Sequence, residues 1–131
     1  MPQILTRHMI ETAYKYSRKV YHNELELSSA LSHISLLSGM HRGTALAYIS
    51  DFCSMMEGQA FKRKMTADAT KYYLLNIYKD YGIEALNGAV AAVKLHIKYF
   101  KEEKSLNLVR LTMVVKEFDK GLVNNEIVIE E

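Results

Sequence analysis

Cysteine, proline, glycine and tryptophan are scarce in this chain, with one Cys, one Pro, six Gly and no Trp in 131 residues. A single thiol, Cys53, excludes an intramolecular disulfide and a cysteine-rich zinc site. Its neighbours Phe52, Met55 and Met56 read it as a small buried hydrophobe in a reducing compartment. Long apolar runs are missing too: Gly88 to Val93 and Met113 to Val115 fall far short of the roughly 20 residues that span a bilayer. No apolar run follows a basic start, so the expectation is a soluble cytoplasmic protein without a membrane partner. Strong charge of one sign is also lacking. The net charge of +2 announces no nucleic-acid partner by itself, but residues 1–64 carry 8 Lys/Arg against 5 Asp/Glu and residues 65–131 carry 9 against 10. What is present is ordinary globular composition, 49% hydrophobic and 24% charged, at a length that suits one core.

With glycine and proline so rare, capping residues and the few glycines punctuate the chain. A first helix is predicted over Gln3 to Tyr21, with Ile10, Ala13, Tyr14, Ser17, Val20 and Tyr21 at helical spacing. Ser28 reads as the N-cap of a short second helix that turns Ala30, Leu31, Ile34 and Leu37 inward and stops at Gly39. Thr44 reads as the cap of a third, with Ala45, Tyr48, Ile49, Phe52 and Met56 as its apolar face and Gly58 as its end. A fourth follows from Thr66 to Tyr81, stopped by Gly82, and a fifth from Glu84 to Lys101 carries Leu86, Ala89, Val90, Val93, Ile97 and Phe100. Leu106 to Phe118 is two-faced. Val109, Leu111, Met113 and Val115 alternate as in a strand, whereas Leu108, Leu111, Val115 and Phe118 recur as in a helix; with no sheet to join, helix is favoured. The expected architecture is all-α, a compact bundle of about five to six helices in one domain over 1–121 with a short extended tail over 122–131.

The chemistry-bearing patterns are few. The five histidines, His8, His22, His33, His41 and His96, include no pair at the three- or four-residue spacing of a helical metal site, and no glycine-rich loop follows a strand. No catalytic grouping, metal site or cofactor is expected. Ser28 to Glu57 has the outline of a helix-turn-helix, in which the start of the second helix reaches bases and phosphates. That start offers His41, Arg42 and Thr44, with Leu46 and Ala47 behind them; Ser38 is more polar than its place prefers. Two antiparallel helices around a glycine turn are also common without any nucleic acid. Two further basic sets, Lys15, Arg18 and Lys19 on the first helix and Lys62, Arg63 and Lys64 in the connection, suit a phosphate backbone, though a solvated surface looks the same. The nine tyrosines fall at core spacing, their hydroxyls at the rim.

Gly39-Met40-His41-Arg42-Gly43, Tyr48-Ile49 with Phe52, Met56-Glu57-Gly58 with Phe61 and Arg63, Asp80-Tyr81-Gly82 with Leu86, and His96-Ile97 with Tyr99 together carry a resemblance. Over roughly Ile10 to Phe100 the chain resembles the N-terminal helical head of McrA-like, modification-dependent HNH restriction endonucleases. The resemblance implies a role in restriction or a related DNA transaction, the head engaging DNA or assembling subunits while other domains read the modified base and cut. Nuclease activity is not implied, since His22-Asn23 stands without a metal-binding HNH frame. Two readings follow: a DNA-binding domain using His41, Arg42 and Thr44 with the two basic sets, or a protein-interaction or dimerising module, such as a small inhibitor encoded by a mobile element. In the second the Leu106 to Glu131 segment supplies the contact, and exposure of its apolar residues Val109, Leu111, Met113, Val114 and Val115 would favour it.

Overall fold

A computed structural model describes residues 3–124, with side chains to 121. Among the described residues the chain is all-helical: α1 Arg7–Tyr21, α2 Leu27–Ser38, α3 Arg42–Met56, α4 Ala67–Tyr81, α5 Ile83–Lys104 and α6 Val109–Asn124. They fall into two compact units, Met1–Cys53 and Ser54–Glu131.

In the first unit α1 packs against α2. α1 starts four residues later than its periodicity suggests, because Thr6 is extended and caps the helix. The Thr6 hydroxyl accepts the Met9 N–H at 3.1 Å, and the Thr6 N–H turns to the Met9 sulfur at 3.5 Å. The other end closes on Asn23, in the left-handed region at φ 58, with Glu24 N–H donating to the Lys19 carbonyl and Asn23 N–H to that of Val20. Ile10, Ala13, Tyr14 and Ser17 are buried as expected, while Val20 and Tyr21 are only half-buried. Phe52 is wholly buried and meets the rings of Tyr14 and Tyr21 nearly at right angles, with centroids 5.4 and 5.9 Å apart.

Two predicted caps are corrected. α2 begins at Leu27 after Glu26, so Ser28 lies inside its first turn, and α3 begins at Arg42, so Thr44 does too. In both cases a backbone bond at the preceding residue, Ala30 N–H to Glu26 O and Ala45 N–H to His41 O, opens the helix earlier. α2 buries only Ala30 and Ile34; Leu31 is half-buried and Leu37 is 54% exposed, since a helix packed along one narrow stripe shields few positions. Cys53 is half-exposed rather than buried.

In the second unit α4, α5 and α6 pack on one another. α3 closes in a Schellman turn, with Gly58 at φ 66, Gln59 N–H to Ser54 O and Gly58 N–H to Met55 O. α4 is capped by Thr66, whose hydroxyl accepts the Ala69 N–H at 3.1 Å, and runs to Gly82 as predicted. α6 resolves the two-faced stretch. Leu111, Val114, Val115 and Phe118 are buried at helical spacing, whereas Val109 and Met113 are 63% and 61% exposed. The strand alternation was coincidence between one buried and one exposed helical row. The helix extends to Asn124, so residues 122–124 of the expected extended tail are helical, and residues 125–131 lie outside the described residues.

This division predicts a sharp contrast in urea unfolding. Phe118→Ala should cost about 3–5 kcal/mol, as a buried ring does, and Met113→Ala less than about 0.5 kcal/mol. Equal costs would contradict the face assigned to α6.

Candidate nucleic-acid interface

The α2–α3 turn spans Gly39 to His41 between helices already fixed. Gly39 ends α2 at φ 80, a conformation that costs a side chain roughly 1–2 kcal/mol. Met40 is buried and pins the turn, with its carbonyl taking the Ser35 hydroxyl at 2.7 Å. Ser38 is tolerated because its hydroxyl donates to the Ile34 carbonyl at 2.6 Å and accepts the Met40 N–H at 3.3 Å. Outside, the Gln3 side chain spans the turn: its amide nitrogen donates to Gly39 O at 2.7 Å and its oxygen accepts the His41 N–H at 3.0 Å. The His8 ring meets the Leu37 carbonyl at 3.1 Å. Because a carbonyl only accepts, that ring nitrogen carries the proton.

His41 and Arg42 are exposed at the start of α3 and Thr44 is half-buried. Leu46 is half-buried and Ala47 is buried, which removes Ala47 from any contact with bases. The Arg42 guanidinium folds back on α2, donating to the Ser32 hydroxyl at 2.8 Å. Beside Ser32, His33 stacks on Tyr16 of α1 at 5.4 Å, and the Lys15 ammonium lies over the Tyr16 ring at 5.7 Å. Lys15 of α1 and Arg42 of α3 are thus joined through neighbouring residues of α2. Arg18 and Lys19 are half-buried in the last turn of α1, where their charge also suits the helix dipole.

The second unit carries Lys62, Arg63 and Lys64, all exposed, between the buried side chains of Phe61 and Met65. The Lys62 ammonium lies over Tyr99 at 5.5 Å and that of Lys64 over Phe100 at 5.7 Å. Behind them His96 is fully buried, stacked on Phe61 at 4.0 Å and met by Phe100 at 4.9 Å. Its Nδ1 is 2.6 Å from the Phe61 carbonyl and so carries the proton, while its Nε2 is buried with no hydrogen-bond partner. Burial pushes the His96 pKa below 6.5, outweighing the hydrogen bond to Phe61, and the Lys64 charge acts in the same direction.

Sequence reasoning gave no functional role to Gln3, Ser32 or His33, and noted His96 only among the histidines and within a resemblance. Gln3 and Arg42 join residues far apart in the chain, and no local pattern announces such pairs. The His96–Phe100 spacing on a buried helical face was the one available signal for the aromatic box. Among the described residues no three His, Cys, Asp or Glu side chains gather as metal ligands, and no helix is long and apolar enough to cross a membrane.

A lowered His96 pKa has a definite sign. As pH falls through 6.5 the unfolded chain takes up this proton before the folded one does, so stability declines on acidification. The urea midpoint should therefore fall more between pH 7.5 and 5.5 in the unsubstituted chain than in His96→Asn, and equal falls would contradict the assignment.

Compared with protein-family models, curated proteins and solved structures, the chain matches none.

Proposed function

We propose that this chain is a non-catalytic DNA-binding domain of the restriction or defence type, engaging the phosphate backbone through the α2–turn–α3 unit. The observation that carries the reading is the Lys15–Tyr16–His33 stack set beside the Ser32–Arg42 pair, next to a turn held rigid by Gln3. Lys15 and Arg42 supply the cations, and Gly43, with open space where a side chain would stand, leaves room for a close backbone approach. The Arg42–Ser32 bond joins a cation to a neutral exposed hydroxyl, so a phosphate competes with it readily. Lys62, Arg63 and Lys64 form a second phosphate-binding set on the other unit. Since Ala47 is buried and Leu46 half-buried, little side chain is left to read bases, and binding should be dominated by charge and weakly selective for sequence.

A second reading, contact with another protein, draws on the exposure of Val109 and Met113, but Leu111, Val114 and Val115 of the same segment are buried. Light scattering separates them, a dimer supporting protein contact.

Fluorescence-anisotropy titration of a labelled duplex at two salt concentrations tests the proposal. Affinity should fall steeply with salt, and Lys15→Ala with Arg42→Ala should reduce the slope by about 2 in log–log terms with no loss of thermal stability. Absence of binding at low salt would overturn it.

A further inference from the structure

The segment from Gln59 to Thr66 lies outside the helices, and its three consecutive cations repel one another, so something must hold it. Its inner side is anchored by Phe61 and Met65, 4% and 3% exposed. The Phe61 anchor has two parts, a ring stacked on His96 at 12° between planes and a carbonyl receiving the His96 Nδ1–H. That carbonyl belongs to the same planar peptide as the Lys62 nitrogen, so fixing its direction fixes how the chain enters the basic triplet. On the outside, Lys62 and Lys64 rest over Tyr99 and Phe100, three and four residues beyond His96 on α5. One turn of α5 therefore grips the loop from within through His96 and guides its cations from without through two rings.

We propose that His96 is a positioning residue that presents Lys62, Arg63 and Lys64 to a nucleic-acid backbone, an inference that rests on the nucleic-acid reading above for the purpose of the presentation but not for the grip. Exposed contacts between an ammonium and a ring are weak enough for phosphate to displace, so the rings guide the lysines without sequestering them.

The test uses the full chain and separates grip from binding. His96→Phe keeps an aromatic ring against Phe61 and removes the donor, while His96→Asn keeps a donor near the Nδ1 position. Trypsin cleavage after Lys62, Arg63 or Lys64 should accelerate at least about fivefold in H96F, as a loop released from its anchor opens more often, and return toward the original rate in H96N. Duplex affinity measured by anisotropy should fall in H96F, by less than in the triple variant K62A/R63A/K64A because the cations remain, with no loss beyond that of the triple variant when both are combined. Unchanged cleavage in H96F, or losses that add fully, would overturn the proposal. Faster cleavage with duplex affinity unchanged in H96F and in the triple variant would uphold the grip and overturn the loop's part in binding. Should H96F lose its helical signal, nitrogen NMR of the unsubstituted chain decides: the Nδ1–H tautomer supports the anchor and the Nε2–H tautomer refutes it.

Discussion

A helix leaves its first N–H groups and last carbonyls without partners, and a chain of many short helices meets that cost at every end. Glycine is scarce in this sequence, yet Gly39, Gly58 and Gly82 all stand at helix ends, and side chains and other left-handed residues close further ends. Thr6 and Thr66 cap two helix starts, Asn23 and Gly58 close two ends, and Gln3, His8 and Ser35 satisfy carbonyls around the α2–α3 turn. The candidate functional side chains stand where they do because of these closures. Arg42 opens α3 at a turn whose shape Gln3 and Met40 fix, and Lys62 follows a peptide whose carbonyl His96 holds.

How far this was legible depends on the range of each interaction. Local periodicity located each of the described helices, and over Leu106 to Phe118 it left two patterns that the burial of Leu111, Val115 and Phe118 decided against the alternation through Val109 and Met113. Ser28 and Thr44 misled because a hydroxyl near a helix start is a good cap only if the backbone has not already opened the helix a residue or two earlier, which is set by the packing of the preceding turn. Long-range pairs were invisible. Gln3 reaches His41 and His96 reaches Phe61 across more than thirty residues, and neither member of either pair carries a spacing that points to the other.

The basic residues share a construction that composition alone did not convey. Lys15, Lys62 and Lys64 each lie over an aromatic ring, and Arg42 is tied to a hydroxyl. The tyrosines therefore serve twice: Tyr14, Tyr48 and Tyr73 fill cores, while half-buried Tyr16 and Tyr99 give the surface cations a platform. A modest net charge is compatible with a nucleic-acid surface when the cations are held in a few defined places rather than spread over the molecule.

Arg42 in its bond to Ser32 has already surrendered much of its rotamer freedom. A ligand that draws the guanidinium away from Ser32 must order it anew, and that ordering subtracts from affinity. Ser32 is exposed, so when the guanidinium leaves, water replaces it and no buried group is stranded. In the proposed exchange with phosphate the acceptor changes from a neutral hydroxyl to an anion. On that reading, discrimination at this position lies between anions and neutral groups, a selectivity of electrostatic increment rather than of shape.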